Sequence, residues 1–243
     1  MQTYRAELHV HTVLSPCAAV EMIPPLIVAE ALERQIQLIA ITDHNASANV
    51  RAVQEAAQGS GLTVLPGMEL QTKEEVHLLC LFENLEQLGE WQKLVDRHLP
   101  EMPNNVDFFG EQFVVDASGD FVRREERLLL NSTDLELEEA AQAVTQLGGL
   151  AIPAHVDRKA NGLIEILGLI PPGFPALEIS RHLAPAAAHH KFPQLIGHAL
   201  LQSGDVHLLD SFLGSTRFEL EAPTLSEIRL ALRQEAGRSL RLG

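Results

Sequence analysis

Short apolar runs of strand length alternate along the chain with longer stretches in which apolar residues recur at helical spacing. This alternation is typical of α/β proteins, in which buried parallel strands are nearly continuous hydrophobic runs. Strands are predicted at residues 4–11, 38–42, 62–65, 76–82, 150–153, 176–180, 200–202 and 217–220. Helices are predicted at residues 24–35, 48–58, 85–99, 132–147 and 225–236. The pattern favours a distorted parallel barrel, whose site would lie at the carboxyl ends of its strands.

Residues 100–132 break this rhythm. The stretch from Phe113 to Val122 predicts a β-hairpin around a polar turn that contains Gly119. Because the segment is too short to build a core of its own, we expect an insertion over the barrel that lids the site. The whole chain, residues 1–243, is then one domain.

Composition narrows the class of protein. Hydrophobic residues make up 46% of the 243 positions, enough for a large core, and no apolar run has the length of a transmembrane helix. Two cysteines cannot form a disulfide framework, and the start of the chain lacks the pattern of a signal peptide, so we expect a cytoplasmic protein. The net charge of −15 predicts no duplex nucleic acid and no membrane as partner, but leaves a small phosphorylated substrate open.

Six of the 11 histidines lie near the ends of predicted strands, in the company of acidic residues. The six histidines are His9, His11, His44, His77, His155 and His207. Imidazole and carboxylate are common ligands of divalent transition metals. Ligands gathered from many strand ends predict a multinuclear metal site and metal-assisted hydrolysis.

The spacing of individual residues adds detail. His9 and His11 are two apart on a strand and therefore point to one face, where they can chelate one cation. Asp205 and His207 repeat this spacing. Glu69 follows the turn after the third strand, and its carboxylate can bridge two cations.

Asp43 and His44 come directly after the buried strand 38–42. His44 is the candidate ligand and Asp43 its orienting partner. The alternative role for Asp43 is to cap the next helix, which Asn45 could also do.

Taken in order, these motifs resemble the PHP (polymerase and histidinol phosphatase) superfamily of metal-dependent phosphoesterases. The resemblance runs from Ala6 to His207 and is strongest for stand-alone bacterial members with a segment like residues 14–18. The motifs are Glu7-Leu8-His9-Val10-His11-Thr12, Ile41-Thr42-Asp43-His44-Asn45, Gly67-Met68-Glu69, Val76-His77, Ala154-His155 and Gly204-Asp205-Val206-His207. The resemblance implies a distorted (β/α)7 TIM-like barrel with up to three metal ions in its mouth.

The resemblance also implies a ligand set. One metal would be held by His9, His11, Glu69 and Asp205. Glu69 would bridge to a second metal, held by His77 and His155. A third would be held by His44, His207 and a loop residue that is His or Asp in the family and Cys17 here.

Cys17 decides how many metals to expect. A thiolate suits zinc or iron and binds magnesium poorly. The alternative is that Cys17 is a small buried residue and that the third site is weak or empty. The expected cofactors are therefore two or three divalent ions of zinc, manganese or iron.

The predicted activity is hydrolysis of a small phosphomonoester by a hydroxide that bridges two metal ions. Glu69, Asp205 and Arg158 are the candidate catalytic residues: Arg158 would bind phosphate bidentately, and Asp205 would assist protonation of the leaving group. Arg181-His182 is a second candidate for phosphate binding. The alternatives are a nuclease or nucleotide phosphatase acting on short nucleic acids, a non-catalytic metal-binding regulator, and an amidohydrolase-like barrel.

Overall fold

The computed structural model describes residues 1–243, and its largest element is a curled seven-stranded sheet. The strands are β1 (Gln2–Val10), β2 (Leu38–Ile41), β3 (Thr63–Gln71), β4 (His77–Leu81), β5 (Phe113–Val115), β6 (Phe121–Arg124), β7 (Leu150–Pro153), β8 (Leu177–Ile179), β9 (Leu200–Gln202), β10 (Thr216–Leu220) and β11 (Ser239–Leu242). The helices are α1 (Pro24–Glu33), α2 (Val50–Ala56), α3 (Leu85–His98), α4 (Val106–Phe109), α5 (Leu137–Gln146), α6 (Leu163–Leu167), α7 (Pro185–Lys191) and α8 (Leu225–Arg233). None of these helices has the length and apolar character needed to cross a membrane.

The strand order in the main sheet is β11-β10-β1-β2-β3-β4-β7. β1, β2 and β3 run parallel, whereas β4 is antiparallel to both of its neighbours. β8 and β9 form a separate parallel pair. Backbone hydrogen bonds from Val156 to Glu178 and from Val206 to His9 join this pair to the chain after β7 and to the end of β1. The ends of these strands therefore meet around one space.

The predicted α/β class is confirmed, but the strand order does not confirm an exact (β/α)7 repeat. Only five residues, 72–76, separate β3 from β4, and a parallel crossover needs about a dozen or more. The two strands therefore pair as an antiparallel hairpin. One consequence is that His77 reaches the site from the start of its strand, while His9 and His155 reach it from strand ends.

Helix α3 shows how the sequence determines an element. The Asn84 side chain accepts a hydrogen bond from the backbone N–H of Gln87 and caps the helix. Trp91 then lies fully buried against Phe82, with 6.3 Å between ring centroids.

Replacing Trp91 with alanine should lower the free energy of unfolding by about 3–5 kcal/mol, because the cavity cannot refill. Urea denaturation checks this, with the exposed Lys93→Ala as control. A loss below about 1 kcal/mol would show that the neighbouring helices collapse into the space.

The hairpin predicted within residues 100–132 is confirmed as β5 and β6, joined by a turn that the Asp116 N–H to Asp120 oxygen bond closes at 3.0 Å. The hairpin packs on the loop that follows His11: the Phe113 N–H donates to the Val13 oxygen at 2.9 Å. Gly110 lies so close to the Pro16 carbonyl that an added Cβ would be 2.5 Å from its oxygen. The segment thus lies beside the loop at the mouth of the strands.

Candidate metal centre

The centre of the site is the carboxylate of Glu69, which is fully buried on β3. Oε1 lies 3.1 Å from His9 Nε2, 2.8 Å from His77 Nδ1 and 3.2 Å from His155 Nε2. Oε2 lies 3.0 Å from His44 Nδ1 and 3.4 Å from His11 Nε2. One carboxylate therefore faces five imidazoles, which come from β1, from β4 and from the chain directly after β1, β2 and β7.

Asp205 is a second carboxylate at the same space. Its Oδ1 lies 3.3 Å from His9 Nε2, 3.4 Å from His11 Nε2 and 3.3 Å from His207 Nδ1. Its other oxygen, Oδ2, accepts a hydrogen bond of 2.6 Å from Arg158. Oδ1 is thus directed at the histidines and Oδ2 at the guanidinium of Arg158.

Several of these buried atoms approach one another closely without making a hydrogen bond. The unpartnered atoms are His9 Nε2, His11 Nε2, His44 Nδ1, Glu69 Oε2 and Asp205 Oδ1. Buried polar atoms in folded proteins nearly always have a partner. Lone pairs that converge at this spacing without pairing are what a divalent cation requires, so this donor set fits metal ions.

Three overlapping clusters place their ligand atoms within 4.8 Å of one another. They are His9-His11-Glu69-Asp205, His44-Glu69-His77 and His11-His44-His207. The first has the composition implied by the family resemblance. The second contains His44 where His155 was expected, although His155 still contacts Glu69, and the third contains His11 where Cys17 was expected.

Two predicted ligands, Cys17 and His155, lie outside the three clusters, but only His155 contacts Glu69. Cys17 as a whole is exposed, although its thiol lies among protein atoms. The surrounding protein desolvates the thiol, and the charges of Glu69 and Asp205 act in the same direction, so its pKa rises to about 12. In the metal-free protein the thiol is therefore protonated, and a metal ion would have to displace this proton to bind the sulfur.

Glu178 is a site residue that the sequence did not single out. Its Oε2 lies 2.9 Å from His9 Nδ1 and accepts a hydrogen bond from the His155 backbone at 3.1 Å. A carboxylate on the far nitrogen of a metal-ligating histidine fixes the ring and its tautomer. The only signal was an acidic residue within the otherwise apolar strand β8.

Asp43 orients a different histidine from the one predicted. It accepts hydrogen bonds from the Thr12 backbone, the Thr12 hydroxyl and the Ser15 hydroxyl, at 2.7–2.8 Å. Ser15 Oγ in turn lies 2.9 Å from His11 Nδ1. The carboxylate therefore supports His11, and its link to His44 is limited to the bond from the His44 N–H to Ser15.

Two site residues adopt the left-handed backbone region, which is unusual for residues other than glycine. His155 has φ of 30° and Asp205 has φ of 51°. An added Cβ on the preceding Gly204 would lie 2.1 Å from the Ser211 oxygen, so only glycine fits there. Such strain persists where the surrounding structure enforces it, which is common at functional sites.

The charges of neighbouring residues shift the pKa of the buried site residues in the direction opposite to burial. Burial alone would raise the pKa of Glu69 and Asp205, but the surrounding histidines lower both. Burial alone would lower the pKa of His9 and His11, but the carboxylates raise that of His11 to about 8 and that of His9 well above its usual value. Protons on these two rings thus balance the carboxylates, and a metal would replace them.

A polar cavity of about 230 Å³ adjoins the centre. None of its nine lining residues is apolar, and they include Arg158, Arg181, His182 and Asp205. Arg158 borders the centre through its 2.6 Å bond to Asp205. Arg181 donates to the backbone oxygens of Gly204 and Ser211 at 3.4 and 3.2 Å. Both predicted phosphate-binding arginines therefore line one cavity.

Comparison with known protein families identifies the family to which the chain belongs. Residues 7–182, more than half of the chain, match the PHP domain. The chain belongs to the PHP domain family. Curated protein sequences give no match.

Among solved structures, the lesion-specific endonuclease Q from Pyrococcus furiosus aligns with 98% of this chain at 21% identity, with a TM-score of 0.71. Endonuclease Q in complex with a 27-mer duplex that carries an abasic lesion aligns with the same share at 20% identity and a TM-score of 0.65. In both cases this PHP chain spans only 58% of the other chain. A proposed metal-dependent phosphoesterase from Bifidobacterium adolescentis aligns with 84% of this chain, over 87% of its own, at 18% identity and a TM-score of 0.51. At these identities the likeness shows the fold alone.

The endonuclease Q complex corrects one prediction. The net charge of −15 was expected to exclude duplex nucleic acid, yet a protein with this fold holds a duplex at its active site. Net charge averages the whole surface, whereas a duplex contacts a local patch. Cations in the centre would also reverse the field that a phosphate meets there. The exclusion was therefore wrong.

Proposed function

We propose that this PHP-family protein is a metal-dependent phosphoesterase that hydrolyses a small phosphomonoester at a di- or trinuclear centre. The observation that carries the proposal is the convergence of unpartnered imidazole and carboxylate atoms around Glu69. These ligands suit zinc, manganese or iron. Bound divalent cations supply Lewis acidity, making hydroxide available near neutral pH and neutralising phosphate charge.

The chain's own residues would hold and orient the reacting groups. Glu178 and Ser15 fix the rings of His9 and His11. Arg158 lies at the border of the centre and the polar cavity, where its guanidinium can bind phosphate oxygens. The low pKa of Asp205 keeps this carboxylate ionised, so its role is that of a ligand and an anchor for Arg158, and it is a poor proton donor.

The cavity favours a small substrate. Its volume of about 230 Å³ lies below the roughly 300–1,000 Å³ of pockets for drug-sized ligands. Segment 100–132 would then act as the lid of a single domain. We also propose a cytoplasmic location, which was predicted from the low number of cysteines. Both cysteines are unpaired.

A second candidate is cleavage of phosphodiester bonds in nucleic acid. The observation in its favour is the alignment of 98% of the chain with endonuclease Q. Both candidate activities would use the same metal centre. They differ in the substrate group on the far side of the scissile phosphate, which is absent in a monoester and is the rest of the nucleic acid chain in a diester.

Metal removal tests the proposal. After treatment with a chelator, we expect no hydrolysis of p-nitrophenyl phosphate, and we expect activity to return with manganese, zinc or ferrous iron. The same preparations should be tested on bis-p-nitrophenyl phosphate, on single-stranded and duplex oligonucleotides, and on an aryl amide.

Each substrate separates one alternative. Faster cleavage of the diester and oligonucleotides would favour the nuclease, and cleavage of the amide alone would favour an amidohydrolase. Tight metal binding with no turnover of any substrate would contradict an enzymatic role and favour a metal-binding regulator.

A further inference from the structure

Asn49 lies directly before α2, between the metal centre and the β5–β6 hairpin, and is fully buried. Its Nδ2 donates to the Phe113 oxygen and to Thr12 Oγ1, both at 2.9 Å. Its Oδ1 accepts from the Val115 N–H at 3.0 Å. One side-chain amide thus joins strand β5 of the hairpin to the residue that follows the ligand His11.

From Thr12 the hydrogen bonds continue to the metal centre. Thr12 Oγ1 donates to Asp43 at 2.8 Å, and Ser15 Oγ donates to the same carboxylate at 2.7 Å. Ser15 Oγ lies 2.9 Å from His11 Nδ1 and accepts from the His44 N–H at 3.2 Å. All of these residues are buried.

Proton counting fixes the direction of every bond. A hydroxyl has one proton, and both Thr12 and Ser15 give theirs to Asp43. Ser15 Oγ can therefore only accept from His11, which places the ring proton on Nδ1. When His11 gives up its second proton, Nε2 is the nitrogen left with a lone pair, directed at Glu69 and Asp205, as a metal ligand must be.

We propose that Asn49 is a positioning residue for the metal centre, acting through Thr12, Asp43 and Ser15 to hold His11 in the tautomer that binds metal. The inference rests on the proposed metal centre. Without the Asn49 amide, Thr12 Oγ1 keeps only the Leu14 N–H as a donor, and its hydroxyl is held less firmly on Asp43. Asp43 then holds Ser15 less firmly, and the His11 ring loses the contact that sets its proton.

Gln112 provides a matched control. It is also a buried amide with three hydrogen bonds, to the Glu125 oxygen, the Arg127 oxygen and the Leu129 N–H, at 2.8, 2.8 and 2.9 Å. All three lie within segment 100–132. Replacing Gln112 therefore disturbs the same segment while leaving the bond from Asn49 to Thr12 in place.

The test is Mn²⁺ binding to the metal-free full chain, measured by titration calorimetry together with the melting temperature. We expect Asn49→Ala and Gln112→Ala to lower the melting temperature to a similar extent. Only Asn49→Ala should weaken Mn²⁺ binding, by about 10–100-fold. Thr12→Val keeps the bonds from Asn49 to the hairpin and should weaken binding similarly, so it serves as the second variant if Asn49→Ala does not fold.

The outcomes are distinct. Wild-type Mn²⁺ affinity in both Asn49→Ala and Thr12→Val would overturn the positioning role and leave the metal centre intact. Equal loss of affinity in Asn49→Ala and Gln112→Ala would also overturn it, since general loosening of the segment would explain both. Absence of Mn²⁺ binding in the wild type would instead overturn the proposed metal centre, and the role of Asn49 with it.

Discussion

In the Glu69→Gln variant, we expect metal-dependent hydrolysis to fall about a thousand-fold or more. Glutamine has nearly the same shape, so the substitution removes the charge and leaves the packing of β3. The lost charge faces five imidazoles, three of them within 3.2 Å of Oε1. A carboxylate would offer two good ligand atoms and a negative charge to a pair of cations, whereas an amide offers only one good ligand atom and no charge.

The measurement is kcat/KM on p-nitrophenyl phosphate at saturating Mn²⁺, with metal content determined on the same sample. Glu75→Gln is the matched control, because this exposed glutamate lies in the turn after β3 and contacts no ligand. Activity of Glu69→Gln within tenfold of wild type would show that the reacting groups lie elsewhere.

Much of the candidate metal centre could be predicted because the histidines that converge there follow from local patterns. A histidine directly after a buried strand must lie at a strand end, and two histidines at i and i+2 must share a face. Glu178 could not be found in this way. It lies 169 residues from His9 along the chain, and its role depends on the packing of β8 against the end of β1.

Asn49 and Ser15 were missed for a related reason. Each is a small polar residue of a kind common in loops and near helix starts, and nothing in its sequence neighbourhood shows its partner. Only the folded chain places Ser15 between Asp43 and His11.

The fold was predicted well in element type and less well in strand direction. The hydrophobic pattern locates β4 but contains no information on its orientation, so the antiparallel β3–β4 pair was not foreseen. β3 was predicted to end at residue 65 because Pro66 and Gly67 are typical of a turn. In the structure the strand continues through Gly67, where a Cβ would lie 2.9 Å from the Ile41 oxygen.

The metal-free protein should be most stable near pH 6.5–7, because its buried histidines fall into two opposite groups. On the acid side, burial lowers the pKa of His44 to about 4 and that of His207 to about 3, and it lowers the pKa of His77 as well. These rings stay neutral in the folded state, while in the unfolded chain they bind protons below their usual value of about 6.5. Stability is therefore lost as the pH falls below 6.5.

Buried Glu7 partly offsets this loss. Burial raises its pKa to about 7, so between pH 7 and 4.5 the folded state holds a proton that the unfolded state lacks. His44 and His207 against Glu7 leave a net uptake of about one proton on unfolding, and His77 adds to this uptake in the same direction. The expected loss is therefore at least about 1.4 kcal/mol per pH unit between pH 6 and 5.

On the alkaline side the sign of the proton difference reverses. Burial lowers the pKa of His11, but the nearby carboxylates of Asp205 and Glu69 outweigh this effect and bring the pKa to about 8. The folded state then holds a proton that the unfolded state has already lost above pH 6.5. His11 therefore contributes about 2 kcal/mol below pH 6.5, and this stability disappears as the pH rises through 8.

Urea denaturation in EDTA from pH 5 to 9 measures the loss of stability on the acid side (the acid limb) and on the alkaline side (the alkaline limb). Excess Mn²⁺ should reverse the sign of the pH dependence on the alkaline limb only. A cation replaces the protons on His9 and His11, so its binding strengthens with pH and the alkaline loss should become a gain. His11→Ala is the matched variant, because it should flatten part of the alkaline limb in EDTA and leave the acid limb in place. Stability that rises steadily to pH 9 in EDTA would show that these rings are neutral in the metal-free protein. In that case protons on His9 and His11 would not balance the charges of Glu69 and Asp205, and a bound metal would not displace protons from these rings.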